Sequence, residues 1–479
     1  MNIKTHFPFW ILTLGLAIFL LAPFYVQDGM FTDGTIYASV SRNLAEGVGD
    51  YWQPLFGCAS EKIFYEQPPF ALWLQSFFFR FLGNSFFTER IYCAFTYLSA
   101  CFSLFYFWKI LNPTQAKTAW LPIFLYTCTP LVFWSYRHNM LENTMLIFDL
   151  WAIIFFFKTI KNDIFLAKEN SLNLVLGTFF IFLSVLTKGL VGLFPLAFFG
   201  LAYLVYLKKI KYFLLQGVSI SVLLVAYFAL LFAIFPKSFY FFKQYIDIQL
   251  LRSLRGEREA YDSGGKFLLL ERLPQELIPM FLVAFLVVII NYLIKKKVFL
   301  KIQKEILLLI LIGLSASLPM LISPKQHSYY LVPCFVYFAL AVAQFILTHI
   351  KEVADYFSAK KNIFYLDQIF LSTTSIFLII SILYTTKKYN TYSRDEIILR
   401  DVHILEKNIP NCTPLELDAI YYSEYFIGAY LQRYGNFEAV FDNQQSAFFL
   451  SPINVNLEHK GYSRDTILGL KYFALWKKR

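Results

Sequence analysis

The chain has 479 residues, of which 58% are hydrophobic and only 16% charged, and its mean hydropathy is +0.53. A soluble fold does not bury this much apolar surface, so the composition excludes the soluble classes and indicates an integral membrane protein. The net charge of +11 does not indicate nucleic-acid binding, because the basic residues gather in short loops between apolar runs.

A helix needs about 20 apolar residues to cross a hydrocarbon core about 30 Å thick. Apolar runs of this length predict about eleven transmembrane helices. They lie near residues 8–26, 91–111, 119–135, 140–158, 172–187, 190–207, 213–235, 277–294, 306–322, 328–348 and 364–385. Lysines occupy alternate loops, which places the N-terminus in the cytoplasm, and an odd number of spans puts the polar tail outside.

This pattern predicts an all-α polytopic transmembrane domain at residues 1–385 and a small extracytoplasmic α/β domain at residues 386–479. Short apolar and polar stretches alternate in the tail, which favours the α/β class. Two long outer segments, residues 27–90 and 236–276, interrupt the series of spans.

The first outer segment contains signals for two helices. One helix is expected from Thr35 to Ala45, ending near Gly47, and a second begins after a proline pair and stops at Gly83. Both suit helices that lie in the membrane interface.

The six cysteines have no metal-ligand spacing, and four of them lie inside apolar runs. Cys58 and Cys412 would share the outer side of the membrane. Two small core thiols and one disulfide are both compatible with the sequence at these positions.

Polar side chains near the ends of membrane helices are costly, so they are the first candidates for function. In this topology nearly all of them face the outer side. Asp33 follows the first span and could act on a substrate or cap a helix. Glu142 opens the fourth span and could act in a site or complement the helix dipole. Asp149 lies two turns deeper, where a structural acid is favoured over a catalytic one.

Cations also stand at outer helix ends. Lys188 occurs in L-T-K-G-L and Lys325 in S-P-K-Q-H-S-Y-Y, and Arg255 lies in the second outer segment. Each could extend to the membrane interface. Together they could hold the phosphate of a lipid.

The stretches F-T-D-G-T-I-Y-A-S-V-S-R-N-L, F-Y-E-Q-P-P-F-A-L-W-L and F-L-G-N-S-F-F-T-E-R resemble the first outer loop of a glycosyltransferase superfamily with the GT-C fold. That superfamily contains the protein mannosyltransferases and the aminoarabinose (lipid A) transferases. The resemblance continues through L-E-N-T, L-T-K-G and K-Q-H-S-Y-Y-L-V-P, over roughly the first 350 residues. The aminoarabinose transferases are the most similar, because their outer C-terminal domain also matches.

The resemblance implies that Asp33 and Glu142 are catalytic, although the family usually has Asp at the position of Glu142. Together with the outer-side cations, it predicts a substrate-binding set of Tyr37, Glu66, Gln67, Arg90, Lys188, Arg255, Lys325, His327 and Tyr330. The chain departs from the family at Gly34, Ile36 and Gln67, where Glu, Arg and Lys are usual.

We therefore expect a membrane glycosyltransferase that transfers a sugar from a polyprenyl-phosphate donor to an envelope acceptor. Lipid A or lipopolysaccharide is the favoured acceptor. A protein hydroxyl is the alternative acceptor. The expected location is the bacterial inner membrane, among its lipids, with the site on the periplasmic face. No cofactor is assigned, and a divalent metal is left open.

Two other classes explain less of the sequence. A transporter would need polar groups and broken helices at the midplane, within repeated halves, and only Asp149 fits. A noncatalytic scaffold would not need polar residues on one side.

Overall fold

The structure is a computed structural model that describes residues 3–58, 63–161, 168–207, 209–257, 267–296, 303–322, 326–358, 363–441, 446–458 and 461–478. Its helices, in chain order, are α1 (Ile3–Tyr25), α2 (Thr32–Ala45), α3 (Phe70–Leu82), α4 (Phe86–Leu111), α5 (Trp120–Cys128), α6 (Pro130–Arg137), α7 (Leu141–Lys161), α8 (Lys168–Lys188), α9 (Phe198–Tyr206), α10 (Ile210–Ile234), α11 (Pro236–Tyr245), α12 (Arg252–Leu254), α13 (Leu268–Lys295), α14 (Lys304–Ser317), α15 (Val332–Ser358), α16 (Ile363–Lys388), α17 (Glu396–Asn408), α18 (Ala419–Ser423) and α19 (Tyr425–Gly435). Its strands are β1 (Gly49–Asp50), β2 (Gln53–Pro54), β3 (Pro414–Leu417), β4 (Glu438–Val440), β5 (Phe448–Pro452), β6 (Tyr462–Asp465) and β7 (Phe473–Lys478).

The chain divides into two compact units. The transmembrane unit contains Met1–Pro23, Ala94–Tyr136 and Leu141–Lys387, and the outer-segment unit contains Phe24–Cys93, Arg137–Met140 and Lys388–Arg479. Helix dominates the chain and a small mixed sheet lies in the tail, so the predicted fold class is confirmed.

Among the described residues, 9 helical segments are long and apolar enough to cross a membrane. The sequence predicts about eleven spans by length and apolarity, and two features explain the difference. One segment, Asn170–Tyr206, is 37 residues long and covers two predicted spans. The predicted span at 119–135 is divided at Thr129, which is extended because Pro130 follows it, so α5 and α6 are each too short to count.

Burial separates a central helix of the transmembrane unit from peripheral ones. In α15, 89% of the most apolar stretch is buried within the protein, compared with 11% in α10 and in α16. Large apolar side chains such as Val225 on α10 and Phe285 on α13 are exposed on the protein surface. Such surfaces are stable against hydrocarbon, so these helices face lipid.

The tail folds as a mixed sheet with the strand order β4-β3-β5-β7-β6. β3 pairs in parallel with β4 and β5, whereas β7 pairs antiparallel with β5 and β6. Its core combines α17, α19 and the sheet through Leu399, Val402, Leu415, Leu431 and Leu475. The alternating pattern of the tail therefore produces the expected α/β structure.

The outer segment from residue 24 to 93 belongs to the same compact unit as the tail. Arg42 on α2 is buried and donates to the carbonyl oxygens of Gln432 at 3.0 Å and Arg433 at 2.7 Å. These carbonyls end α19, where a helix lacks internal partners and favours a cation. The buried Arg433 guanidinium in turn pairs with Glu89 at 2.7 Å.

A disulfide links Cys58 of the outer segment to Cys412 of the tail. It closes a loop of 354 residues in sequence. Of the two alternatives that the sequence allows at these positions, the structure contains the disulfide.

A titratable contact also joins the outer segment to the tail. The buried Asp28 carboxylate accepts from His403 Nε2 at 2.8 Å and from the Tyr434 hydroxyl, and His403 Nδ1 lies 3.1 Å from Glu406. Burial opposes the charge on both groups, but the hydrogen bonds outweigh burial. The pKa of His403 is thereby raised to about 9, and the pKa of Asp28 falls below its usual value.

This contact predicts a pH-dependent stability for the outer-segment unit. A raised histidine pKa stabilises the fold fully below the unfolded value of 6.5, and the contribution disappears as the pH rises through about 9. The lowered Asp28 pKa adds stability above 3.8 that disappears in acid. We expect the free energy of unfolding of the purified protein, measured by thermal denaturation, to fall by about 2 kcal/mol between pH 6.5 and pH 9. The His403→Gln variant should lose most of this slope, and an equal slope in both proteins would contradict the assignment.

Candidate active site

A buried ion pair lies where α7 begins and α8 ends. Glu142 stands in the first turn of α7 and is fully buried, and Lys188 is the last residue of α8 and is 4% exposed. The Lys188 ammonium contacts the Glu142 carboxylate directly. Each charge also has the sign that its helix end favours, since acids stabilise N-termini and cations stabilise C-termini.

Aromatic side chains surround this lysine. Its Nζ atom lies 5.6 Å from the ring centre of Tyr329 and 5.7 Å from that of Tyr330. Tyr329 stacks on Trp134 at 6.0 Å and on His327 at 5.0 Å. The rings add cation–π attraction to the ion pair.

The chemistry of this group suits an anionic, hydroxylated ligand. An ammonium has three N–H donors, so Lys188 can contact a phosphate oxygen and Glu142 at the same time. The two phenols supply further donors and acceptors for phosphate or sugar oxygens.

The T-K-G motif explains why Lys188 ends its helix. Lys188 has the non-helical angles φ −142° and ψ 18°, and Gly189 follows with φ 71°. A side chain at residue 189 would strike the Tyr245 hydroxyl of α11. The glycine therefore permits both the turn and the close approach of Tyr245.

Asp33 lies in the outer-segment unit, in the first turn of α2, and is partly exposed. The helix runs from Thr32 to Ala45, so the predicted helix exists and begins three residues earlier than expected. The alternative of Asp33 as the helix cap is wrong, because Phe31 is the N-cap residue and makes no side-chain capping bond. The Asp33 carboxylate still complements the helix dipole.

The start of α2 is held by the short segment that precedes α7. The Asn139 side chain donates to the Gly34 carbonyl at 3.0 Å, and the Phe31 N–H donates to His138 Nδ1 at 3.2 Å. A side chain at residue 34 would collide with the His138 carbonyl, which explains why this residue is glycine. These contacts place Asp33 on a rigid backbone.

His138 must be neutral to accept the Phe31 N–H. Burial lowers its pKa, and the nearby Arg90, Arg394 and Arg137 lower it further, to about 3. The histidine is therefore a structural acceptor over the physiological pH range.

Four other predicted residues also belong to the outer-segment unit, namely Tyr37, Glu66, Gln67 and Arg90. Tyr37 is buried on α2 with its ring edge against Phe64, at 6.5 Å. Glu66 is exposed and Gln67 partly exposed in the turn before α3. Their substrate roles stay predictions.

The predicted cations have different surroundings. Arg90 is buried and donates to the backbone carbonyls of Gly29 and Arg137, which fastens the outer segment. Arg255 is exposed in the transmembrane unit, 4.0 Å from Glu257. Lys325 lies outside the described residues.

The structure thus brings together Glu142, Lys188, His327 and Tyr330 in the transmembrane unit. Sequence reasoning missed Tyr329, although it stands in the same S-Y-Y motif, and Trp134, for which the sequence has no signal. Among the described residues, no group of three His, Cys, Asp or Glu side chains lies close enough together to hold a metal ion.

No protein-family model matches the sequence, and no curated protein is similar to it by sequence. Solved structures do match it. ArnT from Cupriavidus metallidurans bound to undecaprenyl phosphate is 14% identical, with a TM-score of 0.64 over 97% of each chain. The same protein in the apo state has a TM-score of 0.63 at 12% identity, over 96% of this chain and 95% of that chain.

A second solved protein has lower similarity. The archaeal oligosaccharyltransferase AglB from Archaeoglobus fulgidus, in complex with an inhibitory peptide and a dolichol-phosphate, is 10% identical with a TM-score of 0.51, over 94% of this chain and 70% of that chain. ArnT and AglB are both glycosyltransferases with the GT-C fold. The chain is therefore a multi-pass membrane protein with the GT-C fold of these enzymes.

Proposed function

We propose that this protein transfers a sugar from a polyprenyl-phosphate donor to an envelope acceptor, with lipid A as the first candidate. The observation that carries the proposal is the buried Lys188–Glu142 pair with two tyrosine rings facing the ammonium. A buried cation at the end of membrane helices suits the phosphate of a lipid carrier.

In the proposed reaction the bond between the anomeric carbon and the phosphate oxygen breaks, and its electron pair leaves with the polyprenyl phosphate. The acceptor oxygen forms the new bond to the anomeric carbon and passes its proton to Asp33. Lys188 stabilises the negative charge that develops on the phosphate, and Glu142 holds Lys188 in position. The polyprenyl phosphate is a good leaving group, so orientation and charge stabilisation are the main requirements.

The structural comparisons support this choice of donor by analogy. ArnT was solved with undecaprenyl phosphate and AglB with a dolichol-phosphate, and both ligands are polyprenyl phosphates. The sequence resemblance to aminoarabinose transferases favours lipid A over a protein hydroxyl as acceptor. A protein acceptor remains the second candidate, because the resemblance also includes protein mannosyltransferases.

The donor class can be tested directly with purified protein in detergent and an envelope lipid extract as acceptor. We expect label to transfer from polyprenyl-phosphate sugars and not from nucleotide sugars, since the described residues contain no nucleotide-binding domain between the helices. Mass spectrometry of lipid A and envelope glycans, from cells with and without the protein, should show one sugar mass lost. Turnover of a nucleotide sugar without any polyprenyl carrier would refute the proposal.

The proposed site faces the outside, and reporter fusions test this orientation. We expect fusions after Lys209 and Lys296 to be cytoplasmic, because these residues lie in the lysine runs 208–211 and 295–297, and a fusion after Asn436 to be outside. A cytoplasmic reporter at Asn436 would contradict the orientation.

A further inference from the structure

A second polar group lies deeper along the helices that carry the Lys188–Glu142 pair. Asp149 follows Glu142 by seven residues on α7, and Ser184 precedes Lys188 by four residues on α8. These two spacings return to the same helix face. Tyr337 lies in the second turn of α15, which directly follows the 3-10 segment Ser328–Leu331 that contains Tyr330. We call Asp149, Ser184 and Tyr337 the buried polar layer.

The members of this layer are neighbours in the bundle. The Ser184 hydroxyl and the Tyr337 phenol both lie close enough to interact electrostatically with the Asp149 carboxyl. All three side chains are 0% exposed. Gly192 is pressed against Ser184, so that a side chain there would strike the Ser184 hydroxyl.

By hydrogen-bond geometry, the polar atoms of this layer have no partner among the described residues. This holds for both carboxyl oxygens of Asp149, the Ser184 Oγ and the Tyr337 hydroxyl, although the Ser184 hydroxyl is near enough to act on the Asp149 carboxyl. A buried polar group without a partner is costly, and nearly all such groups in proteins bind ordered water instead. Three convergent polar side chains supply the two to four contacts that a buried water needs.

The charge of the layer follows from its surroundings. Lys188, which ends α8 four residues after Ser184, is paired with Glu142. The 3-10 segment Gly189–Ala197, which follows α8, contains no ionisable side chain. The cation on the packed helix α14, Lys304, lies 5.8 Å from the Tyr206 ring. Among the described residues, the groups that act on the Asp149 carboxyl are its buried surroundings and the Ser184 hydroxyl, and no cation acts on it. An uncompensated carboxylate in a membrane interior is strongly disfavoured.

We propose that the buried polar layer is a water-binding site in which Asp149 is a neutral acid, hydrogen-bonded through water to Ser184 and Tyr337. Its role, which rests on the proposed function, is to leave Glu142 as the carboxylate that pairs with Lys188, because a neutral Asp149 does not compete for the ammonium. Asp149 is then a positioning residue and does not touch the substrate.

Infrared spectroscopy of the purified protein tests the site without any need for activity. We expect a protonated carboxylic-acid band that shifts in D2O and is absent from Asp149→Asn. Ser184→Ala and Tyr337→Phe should move the band, because each removes a partner of the water. The control variant Thr178→Val should not move the band, because the buried Thr178 hydroxyl on α8 donates to the Leu174 carbonyl of its own helix at 2.7 Å.

The absence of such a band in the wild-type protein would overturn the proposal. A band that appears only after sodium and potassium are replaced by choline would also overturn it, because it would show a bound cation. If the Asp149→Asn protein does not fold in usable amounts, the band shifts in the Ser184→Ala and Tyr337→Phe proteins still test the proposal. An unmoved band in both would contradict it.

The pH dependence of sugar transfer tests the role. Asp149 lies about 10 Å from Glu142 along α7. An ionised carboxylate at that distance would shift the low-pH limb of the pH–rate profile for sugar transfer by about one pH unit. We expect Asp149→Asn to leave that limb in place, and a displacement of this size to lower pH would refute a neutral Asp149. A protein that transfers no sugar but shows the band would refute only the proposed function.

Discussion

Replacing Asp33 by Asn should lower sugar transfer by roughly two to four orders of magnitude, the usual loss when a general base is removed. Asp33 is partly exposed at the start of α2, and the backbone beneath it is held by Asn139 and His138. Asn keeps the size of the side chain and removes the charge. The carboxylate contributes only about 0.3–1 kcal/mol to the helix through the dipole, so the variant should fold.

The measurement is transfer to the native acceptor by membranes that contain equal amounts of each variant. Asp50→Asn is a matched control, because it removes another carboxylate from the same outer segment. The Asp50 carboxylate accepts from the backbone N–H groups of Trp52 and Gln53, at 2.8 and 2.9 Å, and so stabilises the turn in which it lies. Near-normal transfer by Asp33→Asn would mean that the start of α2 is structural and that the catalytic base lies elsewhere.

Replacing Lys188 by Met should have two separable effects. The first is on folding, because Glu142 is fully buried and would lose the cation that compensates it. Breaking one side of a buried ion pair costs about 3–5 kcal/mol. The double variant Lys188→Met with Glu142→Gln removes both charges, so it should recover most of that stability.

The second effect is on catalysis and should persist in the double variant. Loss of a preorganised group that stabilises developing charge costs roughly 100- to 1,000-fold in rate. Transfer per folded molecule should therefore stay low when stability returns. Glu142→Gln alone should also impair transfer, because it leaves Lys188 without its partner. The amount of folded protein is measured by size-exclusion chromatography in detergent.

Lys158→Met provides the control at the other end of α7. The Lys158 Nζ atom lies 2.9 Å from the Tyr106 hydroxyl and near its ring, so it is also a lysine beside a tyrosine. Its loss should leave transfer per folded molecule unchanged. A stable double variant with near wild-type transfer would make the Lys188–Glu142 pair a structural feature and remove the main support for the proposed function.

Local signals in the sequence account for much of the architecture. The spans follow from composition, because any helix in hydrocarbon needs a run of apolar residues whatever its neighbours are. The helix from Thr32 and the one that stops at Gly83 follow from residues within a turn or two of their ends. The break at Thr129–Pro130 had the same kind of signal, since a proline disfavours helix at the residue before it.

The ion pair shows what local signals do not determine. Glu142 and Lys188 were each candidates from the sequence, but their contact spans 46 residues and depends on how α7 packs against α8. Tyr329, Trp134 and the buried polar layer around Asp149 likewise depend on that packing. No periodicity within one helix specifies which side chain of another helix it meets.

The outer-segment unit likewise depends on contacts between residues that are far apart in sequence. The sequence alone predicts that residues 27–90 and the tail are outer segments, and it allows a disulfide between Cys58 and Cys412. Only the tertiary structure decided that they form one unit, through the disulfide and the buried Arg42 and Arg433. Apolarity and turn residues act over one or two helical turns, whereas a buried charge or a cysteine can be assigned a partner only when the whole chain has packed around it.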